Sequence, residues 1–545
     1  MQKKGKSLII TAPALALLAT LLTALPGWSL EVAPAQPRQS RPQLIVSIVI
    51  DGLSADRLEL LSDCFGPDGF NRLINGGVVL DEVDYGPGID AAGAVAMLYT
   101  GAEPAVNGVA AATTYSTERK MELPTLLDPA KIGNYTTETL SPAILRVSTL
   151  ADEVRIDGAG AGHVHALAPD AARAIIMGGH AGNSAFWIND ANGNWATTTH
   201  YREVPTAITA SNYTRPLSAR IDTISWSPSL PVADYPALPA HKRYYPFRHT
   251  FTGASKFRDF KTAAPVNREI TDMATEYLRS MRLGGRDAMD MLSVGYTLAP
   301  FTAGGTAADN RVETLDAYIK LDRELARLLG AADKSGQNYV VLLAGTPAPP
   351  SAEADGEQWG LSTGEFSTRK AVSLLNMYLI ALHGNGEWVT DYNRGAFYLN
   401  RKLIDEKKLN AEDLRADAAK FMMRMSGVAN AYTIDDILEG RTSAAMRRNT
   451  IVATAPDVFI DVIPGWVLVN DFPTNQAPTR QTVRRAPAVA PAVIYAPQLI
   501  EAKHIAAPID ARRIAPTVAR ILRIRSPNAA GSAPISEVFN HSSKK

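Results

Sequence analysis

Leu44-Ile45-Val46-Ser47-Ile48-Val49-Ile50 is an almost wholly apolar run that ends at Asp51-Gly52. A run this short, rich in β-branched residues and without polar alternation, reads as a strand buried on both faces of a parallel sheet. Leu58, Leu60 and Leu61 then mark a helical pattern. Open α/β sheets gather ligands at the carboxyl ends of their strands, which makes Asp51 the first candidate functional residue. Met291–Val294 and Tyr339–Leu343 read as further buried strands. Between them Tyr318, Leu321, Leu325 and Leu328 recur at spacings of three and four, the mark of an amphipathic helix. Strand, helix and strand at that distance form a βαβ unit. The expected fold is therefore α/β, a mostly parallel central sheet sandwiched by helices.

The rest of the chain is consistent with one such domain. Its 545 residues carry 55 Lys+Arg against 55 Asp+Glu, with 46% hydrophobic and 20% charged residues. This excludes disorder for the bulk, and the zero net charge leaves no electrostatic footprint for nucleic acid. The single cysteine, Cys64, excludes an internal disulfide and a Cys-based zinc cluster. Lys3, Lys4 and Lys6 precede an uncharged Leu/Ala-rich stretch, Ser7 to Leu30, and Ala33 and Ala35 offer an A-x-A-like cleavage site. Residues 1–35 thus read as a signal peptide and linker, with membrane attachment only if that segment stays uncleaved. Residues 36–545 read as the α/β domain, exported to the periplasm or cell envelope. Two insertions are expected. The segment 190–261, rich in Tyr, Trp, Pro and Thr, reads as a cap, and the Pro/Ala/Arg-rich segment 473–496 as a surface excursion. Leu403 to Met425 reads as helix, and Val458 to Val469 as a strand interrupted by Pro464-Gly465.

Several segments, in this order, resemble the alkaline phosphatase superfamily. They are Leu44–Gly52, Gly69-Phe70-Asn71-Arg72-Leu73, Tyr99-Thr100-Gly101, Asn107-Gly108, Gly179-His180, Asn376-Met377-Tyr378, Pro464-Gly465-Trp466 and Ile514-Ala515-Pro516-Thr517. The resemblance is to its exported bacterial phosphatases with a Thr nucleophile, akin to type I phosphodiesterases and nucleotide pyrophosphatases, and it spans residues 42 to about 540. It implies metal-assisted phosphate ester hydrolysis. Two zinc ions would activate a hydroxyl nucleophile and stabilise the attacking and leaving oxygens.

The resemblance also says where the machinery should stand. Asp51 falls on the first metal-binding Asp. The nucleophile should sit in a Thr-Ala-Pro-Gly-His loop, but the chain has Asp90-Ala91-Ala92-Gly93-Ala94, so Asp90 takes the nucleophile position and the His is gone. The Asp-x-x-x-His ligand pair expected near Val294 meets Gly295 to Gly305 with neither Asp nor His. The Asp-His pair expected after Leu343 meets Ala344-Gly345-Thr346, and the last ligand His meets Ala529 to Ser532. The phosphate-contacting Asn falls near Ala112. The Lys-x-Arg pair becomes Asp170-Ala171-Ala172, with Arg173 one step away as a candidate substrate contact. A zinc site needs at least three protein ligands. The expectation is therefore a catalytically inactive protein with no cofactor, acting by binding an envelope protein, a glycan or a phosphorylated ligand.

The alternative is an active phosphomonoesterase or phosphodiesterase, with zinc, rebuilt around Asp51 and Asp90, since a carboxylate can accept a phosphoryl group in other enzyme classes. Elsewhere, His163 and His165 are spaced i, i+2 and share one face of a strand; they could bind a metal, but no third ligand is evident beside them. His180 reads as structural.

Overall fold

The computed structural model describes residues 41–238, 242–298, 301, 310–336, 338–347, 363–393, 395–471, 479–481 and 488–539. The expected signal peptide lies outside these residues, as do most of the window 299–309 and parts of 473–496.

The apolar run is the centre of the molecule. It forms β1 (Leu44–Asp51) within an 11-stranded sheet. The other main strands are β2 (Val78–Asp84), β3 (Val164–Ala168), β4 (Ser184–Ile188), β5 (Trp195–Thr198), β6 (Asp290–Thr297), β7 (Tyr339–Thr346) and β8 (Val489–Tyr495). Their order across the sheet is β2-β8-β7-β1-β6-β3-β4-β5, with short strands at both edges. β7, β1, β6, β3 and β4 run parallel, while β8 and β5 are antiparallel to their neighbours. The helix Arg311–Ser335 connects β6 to β7 across β1, the βαβ unit the spacing of its leucines predicts.

The two-residue strand period assigns β1 to two cores. Ile45 and Val49 join the layer of α1 (Ala91–Thr100), α2 (Ala171–Gly178) and Ile514–Leu522. Leu44, Val46, Ile48 and Ile50 face the opposite layer, with α3 (Pro265–Ser280) and α4 (Arg311–Ser335). Ser47 lies on the α1 side, where Tyr99 Oη is hydrogen-bonded with Ser47 Oγ (2.7 Å) and Ser293 Oγ (3.0 Å). α1 is buried from Ala92 to Thr100, which explains why its sequence is apolar all round.

Four expectations are corrected. The segment 473–496 is not only a surface excursion, because Val489–Tyr495 is a buried strand of the main sheet. Its Pro491 lies opposite a register break between Leu80 and Val83 in β2, the kind of bulge that tolerates a residue without N–H. The 190–261 window begins inside the fold, since Trp195–Thr198 is β5; the cap proper follows it. The run Val458–Val469 is two strands, Val458–Val462 and Trp466–Asn470, in different small sheets. These sheets, with the helices Thr368–His383 and Ala411–Met422, enclose a core of their own around Phe397, Leu375 and Leu414. The expected Leu403–Met425 helix is likewise two, Arg401–Glu406 and Ala411–Met422.

The cap is fastened to α4 by a buried carboxylate. Asp316 accepts hydrogen bonds from Trp226 Nε1 (2.5 Å), Ser229 N (2.6 Å) and Tyr235 Oη (2.8 Å). Buried charge is tolerated when it is satisfied in this way.

Candidate functional site

β1 delivers Asp51 to the carboxyl edge of the sheet, between two threonines in register, Thr297 on β6 and Thr346 on β7. Thr346 Oγ1 donates to Asp51 Oδ1 (2.8 Å). Gly52 turns away with φ +77°, a left-handed conformation suited to glycine, and donates its N–H to the Thr346 carbonyl (3.2 Å). Burial pushes the Asp51 carboxyl above the usual range, and Arg173 and the Thr346 hydroxyl pull it back only in part.

Arg173 stands on α2, which opens after β3 at the same edge. It is 5% exposed, donates Nη1 to the Tyr296 carbonyl (2.6 Å) and pairs through Nε with Asp170, the residue that caps its own helix. Burial works against its charge, but Asp170 and Asp51 outweigh it and hold the guanidinium above its ordinary value. The carboxylate on β1 thus has an internal counter-charge. The structure brings Asp51 and Arg173 into one electrostatic unit, but Arg173 is occupied by the protein's own acceptors.

Asp90 is the N-cap of α1. Its Oδ1 accepts from Ala92 N (2.8 Å) and Gly93 N (3.1 Å), and its Oδ2 from Ala112 N (2.8 Å). The last contact depends on Gly93, because a Cβ there would lie 2.1 Å from the Ala110 carbonyl oxygen. Only a glycine lets the 110–112 segment approach closely enough to reach the cap. Ala112, which falls where a phosphate-contacting Asn was expected, contributes its backbone to this cap.

The remaining segments pack elsewhere. Phe301, just after β6, is buried against Trp226 (ring centroids 5.1 Å) and His249 (4.6 Å) of the cap. Asn528 exchanges hydrogen bonds with Ser148 (Oδ1 from N, 3.0 Å; N to Oγ, 2.9 Å). His180 has carboxylate and carbonyl acceptors on its two ring nitrogens, Asp152 Oδ2 on Nδ1 (3.1 Å) and the Leu145 carbonyl on Nε2 (3.0 Å). Two acceptors flanking the ring favour its doubly protonated form, and the Asp152 hydrogen bond raises its pKa above the ordinary value. Thr346 and Thr297 were not read as site residues from the sequence. Their signal was available: each closes an apolar strand run at the same distance along the register as Asp51.

A model of the type I phosphodiesterase / nucleotide pyrophosphatase family matches residues 45–485. The chain belongs to that family. Within it the resemblance extends to alkaline phosphatases of the Thr-nucleophile kind. The chain is 24% identical to alkaline phosphatase PhoV of Synechococcus elongatus, over 92% of this chain and 93% of that one. It is 25% identical to a protein of Myroides odoratus named calcium-transporting ATPase, over 95% and 99%. The fold matches the crystal structure of wild-type alkaline phosphatase PafA with a TM-score of 0.77 at 22% identity, covering 92% of this chain and 99% of that one.

Zinc at the carboxyl edge, which membership of the phosphodiesterase family implies, does not fit the described residues. No group of three His, Cys, Asp or Glu ligand atoms forms there among them; the one such group is His163, His165 and Glu203. These histidines lie at the opposite, amino end of β3. A cation beside Asp51 would also meet the Arg173 charge.

Proposed function

We propose that this family member has kept the phosphatase scaffold without its chemistry, and that it works by binding in the cell envelope. The observation that supports this most directly is the fate of Asp90. The side chain at the nucleophile position is an acceptor for three backbone N–H groups. A carboxylate whose two oxygens already accept three hydrogen bonds has its lone pairs engaged, which weakens it as a nucleophile. Asp51 supports the reading from the metal side, with hydroxyls rather than metal ligands beside it and a guanidinium as its counter-charge. Losing one transition-state donor typically costs about 10²–10³ in rate; here the activating metal ligands and the hydroxyl nucleophile are replaced together.

The basic and apolar amino-terminal segment supports export. Among the described residues no helix is long and apolar enough to cross a membrane. The partner is an envelope protein, a glycan or a phosphorylated ligand seated at the carboxyl edge of the sheet.

Purified protein assayed with an aryl phosphate monoester and diester in zinc-supplemented buffer should show no turnover above the buffer rate. Turnover that disappears in Asp51→Ala would establish the active phosphoesterase instead. Gentle crosslinking in native envelopes should capture a partner, and its absence would count against the binding role.

A further inference from the structure

The amino end of the sheet carries a second cluster. His163 immediately precedes β3 and His165 lies within it, beside Leu292 of β6 and Ser184 of β4. Glu203 comes from the chain after β5. Each of the three offers a ligand atom, and these atoms all lie within 4.8 Å of one another. His165 is fully buried, yet its Nε2 has no hydrogen-bond partner, and neither does the buried Nδ1 of His163. An unanswered polar atom in the interior costs about 1–3 kcal/mol, and here two such atoms sit together beside a carboxylate.

The surroundings orient the three side chains. Ser184 Oγ lies 2.8 Å from His165 Nδ1. With the proton on Nδ1 and donated to that hydroxyl, the lone pair of Nε2 points away from it. Burial lowers the His165 pKa to about 3, with smaller contributions from His163, Arg286 and Arg155. The two arginines are themselves engaged. Arg155 donates to the carbonyls of Gly160 and Gly162, and Arg286 to Asp290 (3.0 Å) and the Met281 carbonyl (2.9 Å). Asn183 ties the cluster together, accepting from Val164 N (2.9 Å) through Oδ1 and donating its amide to Glu203.

We infer that His163, His165 and Glu203 form a zinc site that clamps the chain following β5 to the start of β3. Two imidazoles and one carboxylate are a ligand set zinc uses, with a fourth position left for water. Bonds of about 2 Å require ligand atoms roughly 3.3 Å apart, so both imidazoles and the Glu203 carboxylate draw together when the ion binds. The site lies five residues along β6 from Thr297, about 16 Å at the rise of a strand, so it is independent of the Asp51 edge.

The test is titration of chelator-stripped full-length protein with Co²⁺ as a spectroscopic stand-in for zinc. One equivalent should bind with the visible d–d bands of a low-coordinate, nitrogen-ligated ion, and zinc should displace it. Glu203→Gln, at an exposed position, should weaken binding at least about tenfold while the far-ultraviolet circular dichroism stays unchanged. His163→Ala should abolish the bands, and Asp51→Asn should leave them intact. Absence of a bound equivalent in the unaltered protein would overturn the inference. So would binding indifferent to Glu203→Gln, or binding lost in Asp51→Asn.

Discussion

The two ends of the central sheet treat polar side chains in opposite ways. At the carboxyl edge, Asp90 is taken up by backbone N–H groups, Arg173 by Asp170 and the Tyr296 carbonyl, and Asp51 has a Thr346 hydroxyl. At the amino end, His163 and His165 each keep a buried nitrogen without a hydrogen-bond partner, and both offer a ligand atom within 4.8 Å of one from Glu203. Groups reserved for a ligand carry a cost in its absence. By that measure Asp90 and Arg173 at the carboxyl edge are answered by the protein itself, while His163 and His165 at the amino end each keep a buried nitrogen without a hydrogen-bond partner.

The contrast can be broken most severely at Gly93. Gly93→Ala would drive a Cβ into the Ala110 carbonyl oxygen and push the 110–112 segment off the Asp90 cap. Urea unfolding should show a loss of about 3 kcal/mol. Asp90→Ala removes the acceptor itself, losing the helix cap and leaving the Ala112 N–H unanswered, for about 2 kcal/mol. A stability gain in Asp90→Ala would show that the carboxylate does not work as the cap its three hydrogen bonds describe.

Asp51→Asn should act in the other direction. Burial raises the Asp51 pKa above its unfolded value, so the folded state binds its proton more tightly. Its favourable contribution is complete below the unfolded value, near 3.8, and is lost as pH rises through the folded value. The variant should melt higher than the unaltered protein at neutral pH, by an amount that shrinks on acidification towards pH 4. A lower melting temperature at neutral pH would show that Asp51 is better satisfied than burial allows. The smallest effect concerns His180, whose pKa Asp152 raises above 6.5. Its contribution is complete below pH 6.5 and fades as pH rises through the folded value. His180→Gln should flatten the stability profile just above pH 6.5, read by thermal melts at closely spaced pH values.

The sequence made β1 legible because Leu44 to Ile50 has one meaning in an α/β protein, and Asp51 came with it. Asp90 ahead of an Ala-rich helix also carries an N-cap signal, which its position in the family motif obscured. Other parts were not legible. Val489–Tyr495 is short, rich in Ala and interrupted by Pro491, so neither alternation nor a β-branched run marks it as a central strand. The separate core around Phe397 is built from strands whose pairing is set by neighbours far along the chain. Glu203 could not be found from His163 and His165 because the turn through Asn183 and β5 brings it back to them, and no local spacing encodes that return.

The comparison between the two ends is tested most directly by zinc stoichiometry from native mass spectrometry of the unaltered protein, Asp51→Asn and Glu203→Gln. One zinc is expected in the unaltered protein, one in Asp51→Asn and a clearly reduced occupancy in Glu203→Gln. Two or more zinc ions in the unaltered protein, with loss on Asp51→Asn, would place the metal at the carboxyl edge instead.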